Sequence, residues 1–418
     1  MVLTKNPYGS PMQLNHVTIA GAGIAGLANA ITLSRCADEV LLVERAPGPR
    51  PEGYLIDFSG PGIDAARRIG VAEQLVQQRH EFTEMRSVRP DGSVSTSISL
   101  APVLRLTPHE TFTIMRPDLE RGLRACLPAN VRVRYNTVIT HLDTHAEEPD
   151  AGVHVTLSDQ TSHDSDLCIV AEGLRSATRD HYITPHQDVV RSLNYAACAW
   201  LADDPELAEI LGQRFAMSEA INSYMGAARI NDRHVSVFGV YPWHGQAAPA
   251  PELGVALQHL ESSGSFGRRL ARHAPQSGFY CDLVAQSVLP SWSNGAALAM
   301  GDTAHAVSLV TGLGSSMALC GADQLAQSVR TATSLKQAIT RYEASWRPQV
   351  ERVQAMGRRR AKSFVPSSRA ALMARRVGMQ VLRLPIVGDV VARSVVRSGD
   401  QQHRGRASQR DQRPELSR

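Results

Sequence analysis

His16-Val17-Thr18-Ile19-Ala20-Gly21-Ala22-Gly23-Ile24-Ala25-Gly26 is the stretch on which the reading of the chain turns. Residues 16–20 form a short, largely β-branched apolar run that ends at a glycine cluster, the form of a buried parallel strand entering a tight turn. Gly21, Gly23 and Gly26 stand at G-x-G-x-x-G spacing. In a strand-to-helix turn the first glycine permits the bend, the second lets a pyrophosphate approach the backbone, and the third lets the helix pack closely on the strand. A helix is expected over 24–34, with its N-terminal N–H groups and positive dipole end directed at phosphate. A second apolar run, Val40-Leu41-Leu42-Val43, ends in Glu44, about 20 residues beyond the glycines, where an acid accepts from ribose hydroxyls. Glycine turns before helices also serve packing alone. Strand before, helix after and acid at the next strand end together point to a ligand with an adenosine diphosphate moiety.

A chain of 418 residues has room for two or three domains. Its 43% hydrophobic and 20% charged residues are an ordinary globular composition, so a sizeable core is expected. The net charge of +4 is small, and much of the positive excess follows Gly357. That describes a basic tail and excludes a nucleic-acid-binding body. Cys36, Cys126, Cys168, Cys198, Cys281 and Cys320 are scattered without a C-x-x-C pair, which reads as reduced core cysteines in a cytoplasmic protein with no metal site. Residues 1–13 carry no apolar signal core, and no run approaches membrane-spanning length.

After Glu44 a loop rich in Pro and Gly carries Arg45 and Arg50, either of which suits a nucleotide phosphate or open solvent. A helical pattern follows over 61–78, and 82–99 alternates around Asp91-Gly92, a hairpin signal. Strands are expected at 111–115, 131–135, 138–142, 152–157 and 167–170, with a helix opened by Arg116-Pro117-Asp118. Residues 188–243 are strand-rich and 251–273 helical, the makings of an antiparallel layer that closes over a small molecule. The chain then returns with an apolar strand at 296–300, Gly301-Asp302, and Gly312-Leu313-Gly314 before a helix over 315–329 with Ser315 at its cap. A second glycine-rich turn aimed at the same ligand implies something longer than a mononucleotide.

Four further motifs follow GAGIAG and Glu44-Arg45 in order: GYLID ending at Asp57, RPDLERGLR from Arg116, DLCIVAEGLRSATR over 166–179, and GDTAHAVSLVTGLGSSMAL from Gly301. In this set and order the sequence resembles the single-component FAD monooxygenases, the aromatic hydroxylases related to p-hydroxybenzoate hydroxylase and the tetracycline-inactivating monooxygenase. The resemblance covers 16–346. It implies an α/β fold: a Rossmann-type, glutathione-reductase-like FAD-binding domain, an inserted antiparallel-sheet substrate domain and a C-terminal helical tail. The corresponding division is 1–187 and 291–356 for FAD binding and 188–290 for substrate. The remaining 357–418 form a basic tail: its run 377–396 mixes apolar residues with arginines, and a short helical pair packed over the flavin domain is expected in preference to a basic amphipathic segment on anionic membranes, with residues from 398 polar enough for disorder.

Carried over residue by residue, Gly21, Gly23, Gly26 and Glu44 hold the adenosine end, with Ala25 beside them, and Arg45, Asp57 and Arg116 contact FAD. Asp302 binds the ribityl chain. Gly312, Gly314 and Ser315 bring a helix dipole to the N1/C2 edge of the flavin, where the reduced ring carries negative charge. The implied reaction is hydroxylation or epoxidation of a small or medium-sized organic substrate, aromatic or polyketide-like. It would use NADPH or NADH and O2 through a flavin hydroperoxide, with no catalytic base to name. Glu172 stands where the family has aspartate, Leu309 where it has proline, and Ser316 where it has asparagine. Glu172 and Leu309 motivate an alternative, a non-redox FAD-binding cyclase on the same fold. His305 reads as a packing residue, and Trp200, Tyr224, Tyr241 and Trp243 as substrate layer or core. The Trp-x-Trp-x-Ile-Pro signature of flavin halogenases is absent.

Overall fold

In the computed structural model, which describes residues 12–50, 53–101, 111–146, 148–245 and 251–381, the run at 16–20 forms the strand Leu14–Ala20. It pairs in parallel with Ala37–Val43 on one side and Leu167–Val170 on the other, with Ile19 opposite Leu42 and Ile169. The six-stranded sheet runs Ser293–Asn294, Ala297–Ala299, Leu167–Val170, Leu14–Ala20, Ala37–Val43 and Val131–Arg134. Parallel strands are covered on both faces, and Ile19, Leu42 and Ile169 have no exposed surface. The chain leaves the central strand toward one neighbour and later returns on the other side. That change of direction opens a crevice at the carboxyl end of the strand, beside Ala20.

Helix Ile24–Leu33 follows the glycine turn as expected. The pattern at 61–78 resolves into two helices, Pro61–Ile69 and Ala72–Val76, because Gly70 takes the left-handed conformation (φ 83°) and ends the first. Helix Gly314–Thr331 packs on both Ile24–Leu33 and Pro61–Ile69.

The second sheet has seven strands, ordered Tyr280–Ser287, Val190–Asp203, His234–Pro242, Tyr224–Arg229, Arg214–Ser218, Glu84–Val88 and Val94–Ser99. The hairpin expected at 82–99 forms, and its first strand joins this sheet by a parallel pairing with Arg214–Ser218. That partner lies more than a hundred residues on, so no local pattern could announce it. Trp200 and Tyr241 are buried in the core on one face of this sheet and Trp243 packs at its margin, whereas Tyr224 belongs to a separate cluster with Leu309 and Phe364.

Helix Leu335–Phe364 runs unbroken through Gly357, and the chain continues into helix Arg369–Val381. The latter lies against the seven-stranded sheet and not, as expected, over the flavin-binding part. The reason is ionic: Glu219, buried at the end of Arg214–Ser218, accepts from Arg376 Nε at 2.6 Å and from the Ser95 hydroxyl. Gln380 Nε2 donates to Thr96 Oγ1 at 2.9 Å and the Arg375 guanidinium lies 5.3 Å from the Tyr224 ring centre. The remainder of the tail lies outside the described residues. Among the described residues no helix is long and apolar enough to cross a membrane.

Removing Arg376 leaves the Glu219 carboxylate buried with one hydroxyl donor. Arg376→Ala is expected to lower stability by about 1.5–3 kcal/mol, the worth of a hydrogen bond to a charged group, and adding Glu219→Gln should restore part of the loss. Urea denaturation of the two variants measures both.

Candidate active site

The first turn is built from contacts that exclude side chains. Gly21 adopts φ 101°, and a Cβ there would stand 2.4 Å from the Ala171 carbonyl oxygen, while a Cβ on Gly26 would stand 1.8 Å from the Gly21 carbonyl oxygen. Gly23 is different: the nearest atoms to its Cβ position are the Glu120 carboxylate at 3.9 Å and the Arg116 guanidinium at 4.0 Å, so its backbone faces open space. Glu44 closes the turn from the next strand, its two carboxylate oxygens accepting from the N–H groups of Ala22 (2.8 Å) and Ala46 (2.9 Å). Each oxygen keeps a second lone pair for a hydroxyl.

The second glycine turn is brought to the first by the same device. A Cβ on Gly301 would stand 2.5 Å from that of Ala25, which makes Ala25 the seat on which the Gly301-Asp302 turn rests. Asp302 opens onto the cavity while protein surrounds it closely enough that burial raises its carboxyl pKa, with the Arg116 charge opposing. Arg116 begins helix Arg116–Ala125 and pairs with Glu120 at 2.9 Å. Asp57 accepts from the Thr113 hydroxyl at 2.9 Å across the strand pair.

Helix Gly314–Thr331 has Leu313 at its cap position, so Ser315 is not the capping residue. The turn tightens earlier than expected because Gly312 takes the left-handed conformation (φ 68°) and the Leu313 N–H donates to Thr311 Oγ1 at 3.1 Å. Ser315 lies in the first turn, its hydroxyl unpartnered among the described residues. The N–H groups of Gly314, Ser315 and Ser316 have no backbone acceptor there either, as the start of a helix requires.

These residues line one cavity of 1390 Å³, larger than the about 300–1,000 Å³ of ordinary ligand pockets. It brings together Gly21, Gly23, Ala25, Glu44, Arg45, Asp57, Arg116, Asp302, Gly312, Gly314 and Ser315, as well as Arg50. Gly26 stays behind the turn, as a packing residue. Open space over Gly23, Gly312 and Gly314, donors at the helix start and an acid at each end match the demands of a long dinucleotide.

Part of the cavity wall is aromatic. Tyr54 lies 5.1 Å from Tyr280 and 5.8 Å from Phe238 between ring centres, and Tyr224 lies 4.9 Å from Phe364. Burial raises all three tyrosine pKa values, Tyr54 and Tyr224 to about 12, with Arg116 and Arg375 respectively pulling the other way. Their hydroxyls remain protonated donors at neutral pH. Arg175 and Asp282 form an ion pair in the same wall (2.7 Å). Sequence reasoning missed Tyr54, Tyr280, Asp282 and Arg175; the signal available was the alternation of Tyr280 and Asp282 toward one face of their strand.

Two residues of uncertain role find structural ones. Glu172 accepts from the Ser176 hydroxyl (2.6 Å), the Thr178 hydroxyl (2.7 Å) and the Thr178 N–H (3.2 Å), tying off the turn that follows its strand. His305 is buried away from the cavity, 5.0 Å from Trp292 between ring centres, and burial lowers its pKa to about 4. It packs as a neutral ring.

A parallel sheet with a glycine turn at its switch point, a second helix start on the same cavity and a covering antiparallel sheet define the class of dinucleotide-binding folds. The chain belongs to the FAD binding domain family, whose model matches residues 15–355, and it is an FAD-dependent monooxygenase, an oxidoreductase. The flavin-dependent monooxygenase eupH of Phoma sp is 29% identical over 341 residues, covering 74% of this chain and 76% of that protein. Among solved structures, tetracycline destructase Tet(51) superposes with a TM-score of 0.74 at 23% identity, covering 90% of this chain and 98% of that one. Klebsiella pneumoniae HpxO, complexed with FAD and uric acid, gives 0.72 at 18% identity, covering 90% and 97%. Both structures share the fold.

The second and third glycines of the first turn separate folding from binding. Gly26→Ala forces a Cβ into a backbone oxygen and is expected to cost at least the about 1–3 kcal/mol of overpacking. Gly23→Ala meets no protein atom closer than 3.9 Å, so it should melt within a few degrees of the parent while retaining less FAD. Thermal melting and the ratio of visible to ultraviolet absorbance distinguish the two.

Proposed function

We propose that the protein uses NADPH or NADH and O2 to hydroxylate or epoxidise a small or medium-sized aromatic or polyketide-like molecule. The continuity of one cavity from the glycine turns to the Tyr54, Tyr224 and Tyr280 wall carries this reading. When bound, the flavin supplies the oxidation chemistry, taking hydride from the nicotinamide and activating O2. The chain holds, orients and shelters. Gly23 admits the pyrophosphate, Glu44 and Arg45 take the adenosine end, and Asp57 and Arg116 flank the middle of the cofactor. Asp302 accepts from the ribityl hydroxyls. The N–H groups of Gly314 and Ser315 face the flavin edge that becomes negative on reduction. The aromatic wall excludes water and stacks on a planar substrate, and the tyrosine hydroxyls donate to its oxygens.

Glu172, one ground for a non-redox cyclase, spends its carboxylate on its own turn, and Leu309 sits in the apolar cluster with Tyr224 and Phe364. Neither position takes from the site a group that redox chemistry needs. The division into 1–187 with 291–356 for the cofactor, 188–290 for substrate and 357–418 as tail is part of this proposal, as is a cytoplasmic location.

Two outcomes test it. The yellow protein mixed anaerobically with NADPH or NADH should bleach, and readmitted O2 should restore the absorbance; product formed anaerobically without nicotinamide would instead support the cyclase. Asp302→Ala should weaken FAD binding by about 1.5–3 kcal/mol, one charge-assisted hydrogen bond, measured by flavin fluorescence on titration.

A further inference from the structure

Two buried glutamines, outside the cavity and absent from every motif, hold the segment that leads into the Gly314 helix. Gln286, on strand Tyr280–Ser287, is 1% exposed and Gln354, on helix Leu335–Phe364, is 4% exposed. Gln354 Nε2 donates to the carbonyls of Ser287 (2.8 Å) and Ala306 (3.0 Å). Gln286 Nε2 donates to the carbonyls of Val307 (3.2 Å) and Gln354 (2.8 Å), and its Oε1 accepts from Arg358 at 2.9 Å. Ser287 extends the network to the site itself, its hydroxyl donating to the Asp302 carbonyl at 2.7 Å.

Buried amides are costly unless satisfied; two of the four carbonyls these amides serve, Ala306 and Val307, open segment 306–312, and a third, Ser287, is bonded to Ala306 through its own N–H at 3.3 Å. That segment needs holding. Ser308 is a non-glycine residue at φ 80°, a conformation that persists only where surroundings over-determine it. Gly357 lets the helix come close enough to do so: a Cβ there would stand 2.8 Å from the Val307 carbonyl oxygen, 3.0 Å from Gln286 Nε2 and 3.0 Å from Thr311 Cγ2. Arg360 adds a bond to the Thr311 carbonyl (3.3 Å). Just beyond this segment Gly314 and Ser315 line the cavity, and their N–H groups have no backbone acceptor among the described residues.

We propose that Gln354 and Gln286 are positioning residues, which clamp segment 306–312 so that the start of helix Gly314–Thr331 meets the flavin at a fixed distance. The proposal rests on the reading above that this helix start faces the cofactor. Loss of the clamp therefore destabilises the reduced, anionic flavin relative to the oxidised one.

The experiment compares FAD-loaded wild type with Gln354→Met, which removes the donors, and Gly357→Ala, which pushes the segment away sterically. Gln286→Met stands in if either fails to fold. Val350→Ala, on the same helix but in the core of the six-stranded sheet, controls for lost stability. Hydrogen exchange over 306–313 should quicken at least tenfold in the clamp variants. In equilibrium with a redox dye, their ratio of reduced to oxidised flavin should fall at least tenfold. Val350→Ala should change neither, whatever its melting temperature. Faster exchange with an unshifted flavin equilibrium, or the same shift in Val350→Ala, overturns the proposal while FAD binding stands. A wild type that neither carries nor takes up FAD overturns the functional reading and this one with it.

Discussion

A Cβ on Gly26 would stand 1.8 Å from the Gly21 carbonyl, one on Gly21 2.4 Å from the Ala171 carbonyl, and one on Gly301 2.5 Å from the Cβ of Ala25. Everything about the site depends on these three approaches. They bring together a strand end, a helix start and a turn from almost 300 residues later, closer than any side chain allows. Of the three only Gly21 reaches the cavity wall, and the bare backbone there belongs to Gly23, Gly312 and Gly314, which have open space over them. A phosphate-bearing ligand needs such a surface, rich in N–H groups and free of steric cover.

The part of this arrangement written in local sequence was readable. Val17 to Ala20, the spaced glycines and Glu44 carry their own geometry, since turn chemistry and strand burial act over a few residues. Eleven of the residues expected at the cofactor do line the cavity, and Gly26 packs behind it. What escaped depends on distant partners. The 84–99 hairpin reads as a hairpin, but nothing in it says that it pairs with Arg214–Ser218. Ser315 looks like a helix cap, yet Gly312 and Thr311 start the turn sooner. The long helix runs through Gly357, where the missing side chain lets segment 306–312 come close, a contact that no local pattern announces. Gln286 and Gln354 are silent in sequence, as polar residues in apolar surroundings, until the carbonyls they serve are known.

Two parts of the cavity wall are built on different principles. At the nucleotide end, backbone and charge do the work: glycine turns, Glu44, Arg116, Asp302 and the start of an 18-residue helix. Along the aromatic wall the surface is ring on ring, Tyr54 with Tyr280 and Phe238, Tyr224 with Phe364, and beside the Arg175–Asp282 ion pair its polar groups are hydroxyls held protonated by burial.

The central claim is that one FAD molecule lies along the cavity with its pyrophosphate over Gly23 and its ring at the start of helix Gly314–Thr331. A crystal structure of the FAD-loaded protein measures this directly. The account predicts ribose hydroxyls on Glu44, ribityl oxygens on Asp302, and the N1 edge of the flavin within hydrogen-bonding distance of the Gly314 or Ser315 N–H. A flavin bound in the reverse direction, or with its ring remote from that helix start, would contradict it.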